Sequence, residues 1–429
     1  MREQHIKPGA PADAAPRILL TDTDRRPYAA RLAIEFAKAG CEVAIVCSSH
    51  GHPALKTSAV RKSYGYSALS PLGSLVHAID DSQPNIVIPC DDRGVRHLHE
   101  LRQWAIAQGS SGSELANLIE QSLGSPLSFA TVSARYDLLK LAKEEGFSVP
   151  QTVSIQEPND LQAWQENQSF PWVLKADETW GGRGVRIVTS REEAERFFFD
   201  VSRPFRFRRA VKRMFVNRDP FWFQPWWQSR KPAVIAQAHV QGRPANCGVV
   251  CWQGEVLAGI AVEVINSVGA TGPASIVRVV HESEMLHCAK RIASRLHLSG
   301  FFGLDFMIED GSGEPYLIEM NPRSTPVCHL RLGAGSDMIG ALCAKLTGKP
   351  MIDVPPVTEK DMIAYFPQAW SCENDLLQSC FQDIPQGEPD LIQEFLSPWP
   401  ERSFLFQLNN HLHRAKAAAV SAFDIKMPV

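Results

Sequence analysis

No stretch of this 429-residue chain approaches the roughly 20 consecutive apolar residues that a bilayer-spanning helix needs, so no transmembrane segment is expected. The first residues, Met1 to Pro8, lack an apolar run before a small-residue site and do not read as a secretory leader. Ten cysteines are present, but none forms a Cys-x-x-Cys pair. Cys247 and Cys251 fall on one face of a single strand, too far apart for a good bridge. Reduced thiols and a cytoplasmic location are therefore expected, rather than a disulfide framework or a zinc site. An excess of one charge is also lacking. With 44 Lys and Arg against 47 Asp and Glu, the net charge of -3 gives no general attraction to nucleic acid. No internal repeat or long low-complexity run is visible.

What is present is a 44% hydrophobic chain, ample for two or three cored domains. Arg17-Ile18-Leu19-Leu20, Glu42 to Val46 and Asn85 to Pro89 are short apolar runs separated by amphipathic stretches at about 26 to 39 and 70 to 82. That alternation predicts a parallel βαβ arrangement over residues 1 to about 125. The turn Thr21 to Pro27 contains no Gly-x-Gly-x-x-Gly, which argues against a dinucleotide site. Asp91-Asp92-Arg93 follows the third strand, where an open α/β sheet has its ligand crevice and where a helix N-cap also belongs.

The richest feature is a hairpin. Phe301 to Ile308 and Tyr316 to Arg323 flank the turn residues Asp310-Gly311-Ser312-Gly313, and a turn centred on Ser312 sets Asp305 directly opposite Glu319. Cross-strand partners on one face have Cβ atoms roughly 5 Å apart, where like charges are destabilising unless a cation lies between them. Strand alternation returns Asn321 to the same face and sends Ile318 and Met320 into a core. Asp, Glu and Asn oxygens together are the hard-ligand set that magnesium shares with phosphate and water. Upstream, Trp172-Val173-Leu174-Lys175 reads as a buried strand delivering a lysine. The loop Asp177 to Gly184 and a second strand, Val185 to Val188, follow it. Gly181, Gly182 and Gly184 let backbone N–H groups approach an anion.

These segments, in this order, resemble the ATP-grasp superfamily, and specifically its carboxylate-amine ligases. The resemblance implies an α/β (α+β) chain with an ATP-grasp fold over 126-345, including a lid at about 150-240. A Rossmann-like pre-ATP-grasp domain at 1-125 precedes it, and a small C-terminal piece at 346-429 follows. It further implies that Asp305, Glu319 and Asn321 hold two magnesium ions, with manganese acceptable, and that Arg323 faces the reacting phosphoryl group. Lys175 and the loop Gly181, Gly182, Arg183 and Gly184 would hold ATP, and Gln237, His239 and Val240 would form the adenine hinge. The His239 side chain itself reads as an ordinary strand histidine satisfied by a neighbour. Arg135, at the start of a helix running to Gly146, stands where relatives contact ATP phosphates, or is an exposed helix-terminal arginine. Arg278 stands where relatives place a basic residue that stabilises the transferred phosphate.

The implied reaction activates a carboxylate as an acyl phosphate, joins it to an amine, and releases ADP and phosphate. The alternatives are another nucleophile, a reaction that stops at phosphoryl transfer, or a nucleotide-responsive binding protein anchored through residues 203–231. In that stretch nine Lys or Arg residues interleave with eight Phe or Trp and a single Asp219. Such a pattern suits single-stranded nucleic acid, a membrane interface, a substrate cap, or an amphipathic helix with a basic outer face. The last is the expectation, so neither nucleic acid nor membrane is an expected partner. The partners are the small carboxylate and amine, with a homodimer compatible with the family.

Overall fold

A computed structural model describes residues 15–48, 51–177, 184–202, 232–269, 272–281, 283–371 and 375–398. Four parallel strands open the chain: β1 (Arg17–Asp22), β2 (Glu42–Cys47), β3 (Val60–Gly65) and β4 (Ile86–Pro89), in the order β3-β2-β1-β4. β3 was not legible as a strand, because its Val-Arg-Lys-Ser-Tyr-Gly sequence lies on an edge with three consecutive exposed residues. The connecting helices α1 (Pro27–Lys38) and α2 (Pro71–Ser82) fall within the amphipathic stretches read from the sequence. Each begins with proline, whose fixed φ suits a first helical turn. α3 (Asp92–Ala107) starts at the crevice motif, with Asp91 as N-cap accepting from Gly94 N–H at 2.6 Å. α4 (Ser113–Leu123) and the short α5 (Phe129–Ser133) lead to α6 (Arg135–Glu144).

A small antiparallel sheet follows, in the order β5-β8-β6-β7: β5 (Thr152–Ile155), β6 (Trp172–Ala176), β7 (Val185–Val188) and β8 (Val234–Ala238). With α7 (Pro158–Asn167) and α8 (Arg191–Ser202) it closes its own core around Trp164, Trp172, Leu174 and Phe197. The basic aromatic stretch 203–231 lies outside the described residues.

The largest sheet has seven strands: β9 (Gly242–Trp252), β10 (Glu255–Ser267), β11 (Ala274–Val280), β12 (Gly300–Glu309), β13 (Pro315–Asn321), β14 (Met362–Tyr365) and β15 (Phe381–Asp383). Their order is β13-β12-β9-β10-β11-β14-β15. α9 (Glu284–Leu296) covers one face, together with α6, over a core that includes Phe302, Leu304, Phe306 and Leu317. The other face packs Val250, Phe301 and Val327 into the core of the first domain, beside α10 (Met338–Thr347). Residues 362–365, 381–383 and 389–396 are integral to this architecture, because β14 and β15 extend the sheet. α11 (Pro389–Leu396) adds Leu391 and Phe395 to the same core as α1.

Candidate active site

The hairpin β12–β13 pairs Asp305 with Glu319 and Gly303 with Asn321 in antiparallel register. The register shifts after Asp305, where Phe306 pairs with Leu317, so Ile318 is an extra residue on β13. This corrects the expectation that Ile318 points into the core: Met320 does, whereas Ile318 is only half-buried. The bulge leaves the Ile318 carbonyl accepting from Lys175 Nζ at 3.1 Å. Lys175 thus ties the small sheet to the β12–β13 hairpin.

Two glycines shape the next segment. Gly248 and Gly303 are paired neighbours on β9 and β12, and a Cβ on either would come within 3.0 Å of Thr325 or Val327 atoms. Their bare backbone lets residues 325–327 lie flat on the sheet directly after Arg323. Arg323 Nε donates to Asp92 Oδ1 at 3.0 Å, and one of its terminal nitrogens donates to Asn321 Oδ1 at 2.8 Å. Asn321 Nδ2 in turn donates to Asp305 Oδ2 at 2.9 Å. From α6, Arg135 donates to Glu319 Oε1 and to Asp177 Oδ1, each at 2.7 Å, and to the Ala176 carbonyl at 3.1 Å. Arg135 is therefore no free helix-terminal arginine, since it bridges the end of β6 and the hairpin.

The structure thus gathers Arg135, Lys175, Asp305, Glu319, Asn321 and Arg323 into one charged cleft between the two sheets. Burial, reinforced by Glu319, pushes the Asp305 carboxyl up to about 6. Burial also pushes the Lys175 ammonium down to about 8, with Glu319 opposing and Arg135 adding to the fall. The Arg135 and Arg323 guanidiniums stay charged, because their carboxylate partners outweigh desolvation. Two carboxylates and an amide form a hard oxygen set, and a buried acid with a raised pKa gains from a divalent cation. Among the described residues no group of three or more His, Cys, Asp or Glu could hold a metal by itself. Magnesium, which takes one or two carboxylates and fills its remaining positions with phosphate oxygens and water, suits this set.

Gly184 accepts from Ala176 N–H at 2.8 Å at the base of the glycine loop, while Gly181, Gly182 and Arg183 lie outside the described residues. Gln237 is buried on β8 and its Nε2 donates to Thr152 Oγ1 at 3.3 Å. His239 and Val240 are half-buried in the link from β8 to β9. Arg278 requires correction. Its cross-strand partners run Glu263, Ala245 and Phe306, whereas those of Asp305 run Asn246 and Val262, so the two residues lie on opposite faces of the sheet. Arg278 is instead 3.6 Å from Asp361, with 47% of its side chain exposed. Sequence reasoning also missed Asn246, placed beside Asp305 by the pairing of β9 with β12, and Tyr28, whose hydroxyl lies 3.2 Å from Arg323. Neither carries a local signal. Asp92 did, as part of the crevice motif.

Residues 132–327 match the family model described as ATP-grasp domain. The large chain of carbamoyl phosphate synthase from Pyrococcus furiosus is 24% identical over 213 residues, 49% of this chain. The match spans 18% of that longer protein. Among solved structures, N5-carboxyaminoimidazole ribonucleotide synthetase in its ADP complex superposes with a TM-score of 0.56 at 15% identity, covering 80% of both chains. Biotin carboxylase from Campylobacter jejuni does so at 0.54 and 15% identity, covering 79% of this chain and 72% of that one. L-amino acid ligase from Bacillus licheniformis reaches 0.50 at 15% identity, over 77% and 74%. At such identities the structural likeness carries the fold alone. Residues 132–327 are therefore an ATP-grasp domain.

Proposed function

We propose that the chain is an ATP-dependent ligase that activates a carboxylate as an acyl phosphate and joins it to an amine. The observation that carries this reading is the acidic pair Asp305 and Glu319, set face to face inside a frame of Arg135, Lys175 and Arg323. A binding module has little use for two facing, half-buried carboxylates with three cations around them. An enzyme that must neutralise a triphosphate and a transferring phosphoryl group has use for both signs.

Magnesium held by Asp305 and Glu319, with Asn321 at their side, would supply charge neutralisation for the nucleotide phosphates. Lys175 and Arg135 would hold phosphate oxygens at the mouth of the small sheet. A substrate carboxylate oxygen would attack the terminal phosphorus, with ADP leaving. The amine would then displace phosphate from the acyl carbon and lose a proton. Arg323 would stabilise charge on the phosphoryl group in transit. Most of the catalytic effect in this scheme is positioning and electrostatics. Among the described residues no helix is long and apolar enough to cross a membrane, and all nine described cysteines are free. Both features accord with a cytoplasmic setting.

The test is an ADP and phosphate release screen with MgATP against pools of carboxylates and amines. An acid that stimulates release is then labelled with oxygen-18 in its carboxylate. Label appearing in the released phosphate supports the acyl phosphate. ATP binding without acid-dependent release across the panel would sink the ligase and favour a nucleotide-responsive protein.

A further inference from the structure

Arg323 is fixed on every side of its guanidinium. Nε donates to Asp92 Oδ1 at 3.0 Å, Nη1 to the Tyr28 hydroxyl and the Ser324 carbonyl, each at 3.2 Å, and Nη2 to Asn321 Oδ1 at 2.8 Å. A guanidinium carries five N–H donors in one plane. Among the described residues four of them are therefore taken, and one N–H on Nη2 remains.

Two of the four partners belong to the first domain. Asp92 opens α3, which Asp91 caps, and the Tyr28 hydroxyl near the start of α1 itself donates to the Cys90 carbonyl at 2.6 Å. Both partners are thus anchored at the carboxyl ends of β1 and β4, in the crevice where the strand order reverses.

We propose that Asp92 and Tyr28 are positioning residues that lock the plane of Arg323, leaving it a single N–H to direct at one oxygen of the phosphoryl group in transit. A rotating arginine would grip a substrate carboxylate with two parallel hydrogen bonds, the geometry guanidinium and carboxylate favour. The cradle denies that grip and reserves the side chain for the transferring group. The first domain thereby sets the geometry of the phosphoryl site as well as walling it. The inference rests on the acyl-phosphate reading above.

The test uses full-length Tyr28→Phe and Asp92→Ala, titrated with MgADP alone and with MgADP plus aluminium fluoride, a mimic of the phosphoryl group in transit. The wild type should bind the aluminium fluoride complex more tightly than MgADP. Each variant should lose about ten-fold of that gain, with MgADP affinity held within about two-fold. An undiminished gain, or equal weakening in both titrations as a merely structural role would produce, overturns the proposal. A wild type that gains nothing from aluminium fluoride overturns the ligase reading instead. The cradle is then decided by hydrogen exchange at Arg323 Nε–H in arginine-labelled protein, identified by its loss in Arg323→Lys. Exchange at least about ten-fold faster in Asp92→Ala supports the cradle, and unchanged exchange refutes it. If Tyr28→Phe fails to fold, Asp92→Ala carries both measurements.

Discussion

Lys175 should couple nucleotide binding to proton uptake. Its side chain is 4% exposed and donates to the Ile318 carbonyl, and burial has brought its pKa from 10.5 to about 8. The sign follows from which state holds the proton more tightly. Between about pH 8 and 10.5 the unfolded chain retains a proton that the folded one releases, so this group's contribution to stability rises with pH across that window. Below about pH 8 both states are protonated and the contribution is flat at its lowest level. A fall of about 2.5 pKa units is worth roughly 3 kcal/mol. A triphosphate beside the ammonium would reverse the shift, because anionic oxygens favour the charged form. At pH 8 about half of the Lys175 population is neutral, so binding MgATP should take up about 0.5 proton per nucleotide. Calorimetric titration in buffers of different ionisation heat reads this number directly. Lys175→Met should abolish the uptake, weaken MgATP binding, and remove the rise in stability above pH 8. Binding heats that are independent of buffer at pH 8, or equal uptake in Lys175→Met, would refute the reasoning.

Three further outcomes are expected. Glu319→Gln, which exchanges a charged oxygen ligand for a neutral isostere, should abolish ADP release at a cost of several kcal/mol in transition-state stabilisation while leaving the melting temperature nearly unchanged. EDTA should silence the wild type in the same assay. Asp383 is buried where β15 meets the first domain. Burial would raise its pKa, but His329, 2.9 Å away, and Arg31 outweigh it and hold the carboxyl below the usual range. Its contribution to stability is thus present above the unfolded carboxylate pKa and is lost as pH falls through the folded value, and Asp383→Asn should cost about 3 kcal/mol in urea denaturation at pH 7. Replacing Arg206, Arg208, Arg209 and Lys212 by Gln should change stability by only a few tenths of a kcal/mol per charge. The wild type should show no salt-sensitive retention on anionic vesicles or single-stranded oligonucleotides, and such retention would overturn the reading of that stretch as a solvated face.

Local pattern determined much of this protein. Short continuous apolar runs and amphipathic stretches at period 3.6 placed β1, β2, β4, α1 and α2, because each element's own side chains must choose between core and water. A turn centred on Ser312 predicts the pairing of Asp305 with Glu319, but the pairs nearest the turn, Ile308 with Pro315 and Met307 with Tyr316, centre between Gly311 and Ser312, and only the extra residue Ile318 brings Asp305 back opposite Glu319. Tertiary structure decided the rest. The bulge at Ile318 exists where a lysine from another sheet takes its carbonyl, and no residue near 318 announces it. Arg278 faces away from the site because a face is assigned only after counting register across three strand pairs, and each pair is free to add a bulge. β14 and β15 are too short and partly polar to advertise themselves, and they are strands because β11 offers an unpaired edge. The meeting of Tyr28 and Asp92 with Arg323, across 295 and 231 residues, required the first domain to pack against residues 325–327, which lie on the bare backbone of Gly248 and Gly303. The sequence by itself singled out the charged groups of the cleft, Arg135, Lys175, Asp305, Glu319 and Arg323. Only packing, which is long-range and depends on shape, decided which of them touch.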